Sequence, residues 1–277
     1  MLIESTFACE PELLLELQAL PECELGSDFN ALQPELAPLE LTCVEGTAQL
    51  TNRLTGSRIQ ISFVQNDLMR RLRPANLNGE LVVRAVVGRS KKRGLRVLDA
   101  TAGLGRDGLL LAGAGCEITL AERMPVLGIL LRRAVQQALN SDNAELANAV
   151  AHMRGVLANS IEVLNASPEI AQLAPEVVYL DPMYQPPGNK AVAGLKPSAA
   201  VNKRMATLHV LDRITAAHYP QMQVPDEADT LFEAAIAHAT SKVVVKRAPK
   251  APWLAGHKPS SVLGGKTSRF DIYACSA

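Results

Sequence analysis

The chain has 277 residues, 48% of them hydrophobic and only 4% aromatic, with 28 basic and 28 acidic side chains. That length supports one large domain with a smaller companion around an aliphatic core, and the zero net charge carries no average signature of a nucleic-acid partner. Five scattered cysteines without a C-x-x-C pair, and five histidines without an H-E-x-x-H pair, leave no metal-ligand pattern and argue for a reducing compartment rather than a disulfide scaffold.

The charge is unevenly spread. From Met1 to Asn52 there are ten acids and no Lys or Arg; all 28 basic residues follow, against 18 acids. An acidic lobe beside a basic working surface is one reading, and two ordinary solvated faces is the other. The opening "MLIESTFACEPELLLELQAL" has no basic n-region and carries acids through its apolar part, unlike a signal peptide. No run approaches the roughly 20 uninterrupted apolar residues that span a bilayer. A soluble, cytoplasmic protein is expected.

Residues 1–75 are expected to form a small acidic accessory lobe. "AQLTNRLTGSRIQISFV" alternates around the turn pair Thr55-Gly56 and predicts a β-hairpin. A dense basic run follows (Arg70, Arg71, Arg73, Arg84, Arg89, Lys91, Lys92, Arg93, Arg96), with a helix predicted near 79–88. From residue 95 strands and helices alternate. "LRVLDA" is a short buried strand, "GRDGLLLAGAG" a helix ending at glycine, and "CEITLAER" a second strand. "PVLGILLRRAVQQALN" is a helix with Pro125 in its first turn, where a missing N–H costs nothing. "MRGVLAN" and "PEVVYLDPMY" give the third and fourth strands, and helices are expected around 199–217 and 226–240. "SKVVVKR" is the fifth strand, and "SSVLGGKTSRFDIYACS" a closing hairpin. The expected fold is α/β: a mostly parallel, doubly wound, Rossmann-like sheet over 76–277 with a C-terminal antiparallel hairpin, plus the small β-containing lobe.

The stretch "VLDATAGLGRDG" matches G-x-G-x-x-G literally, with glycines at 103, 105 and 108. A strand-to-helix turn of this kind brings backbone N–H groups and a helix N-terminus to the sheet's carboxyl edge, where such sheets bind ligands; a purely structural turn is the plain alternative. Two features point away from a nicotinamide dinucleotide. Asp99 ends the strand four residues before Gly103, making a longer turn, and Arg106-Asp107 stands where a pyrophosphate wants small residues. An acid at the strand tip followed by x-x-x-G-x-G is the pattern of class I S-adenosylmethionine (SAM) methyltransferases, and an acid suits a ligand bearing an ammonium and a sulfonium. Glu122 closes the second strand, placed to accept ribose hydroxyls, although a solvated strand-end acid would look the same. Asn159 or Ser160, after the third strand, could bond an adenine edge, and Ser160 is equally well explained as a helix cap.

"LDPMYQPPG" closes the fourth strand. Asp-Pro-x-aromatic at this place is related to the D-P-P-Y and N-P-P-Y strings of amino-methyltransferases. The exocyclic amine of a nucleobase is a poor nucleophile because its lone pair is delocalised into the ring. Asp181 can accept from the N–H, localising the lone pair toward the methyl donor; Pro182 fixes the backbone carbonyl, and Tyr184 offers a stacking face for an extruded base.

"DATAGLGRD", "ER" at 122–123, "VVYLDPM", "VVVKR" and "RFDIYA" together resemble the ribosomal RNA small-subunit methyltransferase J family, over roughly residues 80–277. The resemblance implies SAM-dependent methylation of the exocyclic N2 of one guanine in 16S rRNA, with the 16S rRNA or the small ribosomal subunit as partner. It also implies that Arg106, Asp107, Glu122, Arg123, Asn159, Ser160 and Asp181 contact the cofactor or lie beside it, in company with Asp99, Gly103 and Gly105 from the loop reading. The family usually has serine where this chain has Asn159. It also tends to continue D-P-M-aromatic with Pro and a basic residue, whereas this chain reads "QPPGNKAVAGLKPS" with Lys190 and Lys196 inside it and Lys203 and Arg204 beyond. Lys246, Arg247, Lys250, His257, Lys258, Lys266 and Arg269, with the 84–96 run, are read as a rim for RNA phosphates. Three other readings stay open: an NAD(P)-dependent oxidoreductase, a non-catalytic RNA-binding assembly factor, and methyl transfer to adenine or to a protein glutamine.

Overall fold

The computed structural model describes residues 1–4, 11–26, 38–88, 94–157, 159–166, 175–182, 199–219 and 227–275. In chain order the first elements are β1 (Leu2–Glu4), α1 (Pro11–Gln18), β2 (Glu24–Gly26), β3 (Leu39–Val44), β4 (Thr47–Asn52), β5 (Ser57–Gln60), α2 (Asn66–Leu72), α3 (Pro74–Leu77), α4 (Leu81–Val86), β6 (Arg96–Asp99) and α5 (Arg106–Gly113). Then come β7 (Glu117–Glu122), α6 (Pro125–Leu139), α7 (Ala144–Val150), β8 (Met153–Leu157), α8 (Ser160–Ala166), β9 (Val177–Leu180), α9 (Ala199–His218), α10 (Glu227–His238), β10 (Lys242–Arg247), β11 (Ser261–Gly264) and β12 (Arg269–Ala274).

The chain divides into two compact units, one formed by Met1–Ser62, Met124–Arg133 and Met183–Gln223, the other by Phe63–Arg123, Ala134–Pro182 and Val224–Ala277. Residues 63–75, placed by sequence with the N-terminal lobe, lie in the second unit: α2 packs on α5, and Leu72 sits against Gly113.

The first unit carries a five-stranded sheet in the order β2-β1-β3-β4-β5. β1 runs parallel to β2 and β3, and β3, β4 and β5 are antiparallel. β4 alternates between buried and half-buried positions, the period expected of a strand with one covered face. The β4–β5 turn is held by the buried Asn52, whose side-chain oxygen accepts from the N–H of Leu54 (3.0 Å) and Thr55 (3.1 Å). The hairpin read from 48–64 is therefore the edge of a larger sheet; three-residue strands such as β1 and β2 are too short for a period to show. α9 packs on β3 and β5. α1 buries Leu13 and Leu17 and turns its acids to the basic end of this unit's part of α6. Arg132 meets Glu16 at 2.7 Å, and Arg133 meets Glu12 at 3.4 Å. Among the described residues, the N-terminal acids Glu12 and Glu16 are thus spent on intramolecular ion pairs. Cys43 is disulfide-bonded, where the sequence argued for a reducing compartment rather than a disulfide scaffold, and Cys23, Cys116 and Cys275 are free.

The second unit carries a seven-stranded sheet in the order β11-β12-β10-β9-β6-β7-β8. The five strands from β10 to β8 are parallel, and β12 and β11 add antiparallel pairs at one edge, as read from the closing hairpin. β9 is buried at all four positions, and Val243, Val244 and Val245 of β10 are fully buried. Such continuous aliphatic runs are what a sheet covered on both faces demands. On one face Leu98, Ala121, Val178, Leu180, Val243 and Val245 pack with Phe232 of α10 and with Tyr273. The Phe232 and Tyr273 rings meet edge to face with centroids 4.7 Å apart. α5 and α7 pack together on the sheet, with α5 against β7 and β8. The chain winds outward from β6 to β7 and β8, then returns to β9 and β10 on the other side. The reversal falls between β6 and β9, and doubly wound sheets bind their ligands in the crevice at that point. Among the described residues no helix is long and apolar enough to cross a membrane.

α5 approaches the sheet closely at Gly108. A Cβ there would lie 2.6 Å from Cδ2 of the buried Leu120 and 3.5 Å from Asp99 Oδ2. Gly108→Ala is expected to lower stability by about 1–3 kcal/mol through overpacking, read by urea denaturation. A change within about 0.5 kcal/mol, the usual range for substitutions away from such features, would show that the helix can move aside freely.

Candidate active site

The site grows from the loop between β6 and α5. Asp99 ends β6, 2% exposed, and its Oδ1 accepts from the Thr101 N–H (3.2 Å). Gly103 (φ 53°) and Gly105 (φ 68°) take the left-handed backbone that lets the loop fold over the strand ends, and Gly105 is the N-cap of α5. The loop is tied to each neighbouring strand. The Ala100 N–H donates to the Tyr179 carbonyl of β9 (3.0 Å), and the Ala102 N–H to the Ala121 carbonyl of β7 (3.0 Å). Thr101 Oγ1 accepts from the Asp181 N–H (2.6 Å), and the Ser160 hydroxyl donates to the Ala100 carbonyl (2.6 Å). Glu122, 7% exposed at the tip of β7, accepts from the Gly103 N–H at 2.9 Å.

The strand register delivers the acids. Leu180 of β9 lies opposite Val245 of β10, so the next residues on each strand, Asp181 and Lys246, emerge side by side at the carboxyl edge. Side chains alternate along a strand, which puts Tyr179 and Asp181 on the face that carries α5. There Lys246 Nζ lies 2.8 Å from Asp107 Oδ2 and 2.8 Å from Asp181 Oδ2. The Tyr179 hydroxyl, its ring 1% exposed, donates to the same Asp107 oxygen (2.7 Å).

The carboxylates separate electrostatically. Burial pushes Asp99 well above the usual carboxylate range, and the charge of Asp107 adds to the rise. For Asp107 burial also acts upward, but the charge and hydrogen bond of Lys246, the Tyr179 hydroxyl and the more distant Arg71 outweigh it and hold the group low. Asp181, whose side chain keeps 41% of its surface exposed, is raised by partial desolvation, pulled back by the charge and hydrogen bond of Lys246 and raised again by the charge of Asp107; the net direction is upward. Burial also pushes the Tyr179 hydroxyl well up, so it serves as a donor.

Asp99, Gly103, Gly105, Asp107, Glu122, Ser160 and Asp181 thus come together at the β6–β9 reversal. Asn159 is buried beside them, and its side-chain oxygen accepts from the Ile161 N–H (2.9 Å), a capping contact at the start of α8. Arg106 reaches away to Asp67 of α2 (2.7 Å), and Arg123 to Glu227 of α10 (2.9 Å). Pro182 follows Asp181 half-buried; Tyr184, Lys190 and Lys196 lie outside the described residues. Among the described residues no group of three or more His, Cys, Asp or Glu side chains is arranged to hold a metal ion.

The basic rim is thinner than its sequence suggested. Arg96 begins β6 at the opposite, amino-terminal edge, where its N–H donates to Glu176. Arg247 is 7% exposed and donates to the Pro252 carbonyl (2.8 Å). Arg269 forks onto the buried Asp271 at 2.8 and 3.0 Å. Lys250 and Lys266 stay exposed in loops at the carboxyl edge, and Lys246 is engaged inside the site. Tyr179 and Thr101 are site residues that sequence reading did not assign, and Lys246 was read as part of the phosphate rim. Lys246 was legible in principle, since aligning "VVYLDP" with "VVVKR" as parallel neighbours sets it beside Asp181.

The arrangement fits a cationic adenosine ligand. The strand ends offer mainly acceptor oxygens, from Asp99, Asp107, Glu122 and Asp181, with Lys246 shared between two of them; such a set suits an ammonium and ribose hydroxyls better than it suits a pyrophosphate. Arg106, the cation nearest the N-terminus of α5, is turned to Asp67 and does not face the loop.

Comparison with known proteins agrees. Residues 27–275 match the family described as "Putative SAM-dependent methyltransferase". The chain is 39% identical over 215 residues to ribosomal RNA small subunit methyltransferase J of Pseudomonas fluorescens strain Pf0-1, covering 78% of this chain and 74% of that protein. It is 37% identical over 258 residues to the protein of the same name from Pseudomonas savastanoi, covering 92% and 82%. Among solved structures, a SAM-dependent methyltransferase from Neisseria gonorrhoeae superposes with a TM-score of 0.67 at 25% identity, covering 99% of this chain and 96% of that one.

Proposed function

The chain belongs to the ribosomal RNA small subunit methyltransferase J family of SAM-dependent methyltransferases, and from that premise we propose that it methylates the exocyclic N2 of one guanine in 16S rRNA. The observation that carries this reading is that Asp99, Glu122 and Asp181 are all tied to the one loop of Thr101 and Gly103 at the carboxyl edge of the sheet. Glu122 would hold the ribose hydroxyls of the cofactor, and its bond to the Gly103 N–H steadies the loop beside it. Asp99 and Asp107 would face the positively charged part of the cofactor, and Asn159 and Ser160 would border its adenine. The cofactor supplies a methyl group on a sulfonium, whose C–S electron pair returns to sulfur as a neutral thioether.

The protein's own residues prepare the other reactant. Asp181 accepts an N–H of the guanine amine, drawing its lone pair out of the ring and toward the methyl carbon. The new N–C bond forms in line with the breaking C–S bond, and the nitrogen gives up one proton to the carboxylate or to water. Orientation and preset charge account for the rate. Pro182 fixes the chain that presents this acceptor, and the sequence offers Tyr184 as a stacking face for the base. Lys250 and Lys266 supply part of the phosphate contact, which positions RNA without reading its sequence. In this reading the protein works in the cytoplasm, and the acidic N-terminal lobe orients it on the ribosomal particle.

Mass mapping of 16S rRNA nucleosides from a strain lacking this protein tests the proposal. One N2-methylguanosine is expected to revert to guanosine. An unchanged 16S map, or loss of a methyladenosine instead, would overturn the acceptor assignment.

A further inference from the structure

Lys246 looks from sequence like one more RNA-facing cation, but its geometry says otherwise. Its ammonium lies 2.8 Å from a carboxylate oxygen of each of two acids, and only 29% of its side chain is exposed. A lysine so committed is a poor partner for a phosphate, because reaching one would strip two carboxylates of their shared counter-ion in a partly desolvated site.

We propose that Lys246 is a positioning residue for methyl transfer: it keeps Asp181 ionised and pins its Oδ2, so that Oδ1 is presented to the acceptor amine. The inference rests on the methyl-transfer reading above. Among the described residues no hydrogen bond engages Asp181 Oδ1, whereas Oδ2 is held by Lys246 and the Asp181 N–H by Thr101. Pinned at the backbone and at one oxygen, the carboxylate has little freedom left.

Its protonation state matters because a protonated Asp181 would offer a donor where the amine needs an acceptor. The groups facing the Asp107–Asp181 pair are Tyr179 from β9, Asp99 from β6, Lys246 from β10 and, at longer range, Arg71 from α2. Of these only Lys246 bonds both acids. Two carboxylates in one desolvated site take up a proton between them unless a cation intervenes. Burial tends to neutralise Lys246 as well, but Asp181 and Asp107 reverse that and keep its ammonium charged.

The test uses the full-length protein with Lys246→Met and Lys246→Arg, checked for folding by their thermal melts. The carboxyl carbons of Asp107 and Asp181 are titrated by NMR in 13C-aspartate-labelled protein, assigned with Asp181→Asn and Asp107→Asn. In Lys246→Met the pair is expected to take up its proton at least about one pH unit higher than in wild type, and Lys246→Arg is expected to stay near wild type. With SAM and 16S rRNA, Lys246→Met is expected to lower kcat about 10- to 100-fold, to move the acidic limb of the kcat profile upward by the same interval, and to leave RNA affinity and its salt slope unchanged.

An unshifted carboxyl titration would overturn the proposal. So would weakened RNA binding with a smaller salt slope and intact kcat, the signature of a phosphate contact. Wild-type protein that fails to methylate 16S rRNA would remove the acceptor assignment instead, and the NMR titration would still decide what Lys246 does.

Discussion

Asp181→Ala is expected to lower kcat for methyl transfer at least about 1000-fold while changing the affinity for S-adenosylhomocysteine by less than about 10-fold. Removing one preset polar partner from a reaction centre costs about 100- to 1000-fold, and here the loss is compounded. The substitution strips the acceptor from the amine and also releases Lys246, which then has only Asp107 to bond. Asp181→Asn should retain more activity than the alanine variant, because its amide oxygen can still accept from the amine. Single-turnover rates with saturating cofactor separate this from a binding defect. An alanine variant that transfers at the wild-type rate would remove Asp181 from the mechanism, whatever its place in the crevice.

Glu122→Ala is expected to act on the cofactor instead, raising the Kd for S-adenosylhomocysteine on the order of 100-fold in calorimetry. Two hydrogen bonds from ribose hydroxyls to a carboxylate are worth about 1.5–3 kcal/mol each, and each 1.4 kcal/mol is a factor of ten. The Gly103 N–H would also lose its partner, so the loop is held less firmly. Glu122→Gln, which keeps an acceptor oxygen but loses the charge, should fall between. NADH should show no comparable binding to the wild-type protein, given the acidic lining of the crevice. An unchanged Kd in Glu122→Ala would place the ribose elsewhere.

The parallel sheet could be read from the sequence because its strands are written in aliphatic runs. "VVYL" and "VVVK" alternate with helical segments, and covering both faces leaves few other ways to bury them. The carboxyl-edge acids were legible for the same reason: Asp99, Glu122 and Asp181 each end such a run. What failed to show was pairing that depends on register or on distant chain. Lys246 joined the site through its alignment with Asp181, and Tyr179 through a helix residue 72 positions away. Arg247 and Arg269 read as surface cations, yet one is buried against a carbonyl and the other is forked onto a buried acid. Composition cannot distinguish those roles, because a buried and a solvated arginine are written with the same letter. The five-stranded sheet of the N-terminal unit was reduced in the reading to one hairpin, since β1 and β2 are three residues each and pair in parallel with chain far away in sequence.

The central claim is that these carboxylates bring a sulfonium methyl and a guanine amine together, and isotope transfer tests it most directly. Wild-type protein is incubated with trideuteromethyl-labelled SAM and 16S rRNA or small ribosomal subunits lacking the modification, and the digested nucleosides are weighed. The account predicts label in N2-methylguanosine at one position, and none with Asp181→Ala. Label in methyladenosine or in a protein glutamine, or an Asp181→Ala product equal to that of wild type, would contradict it.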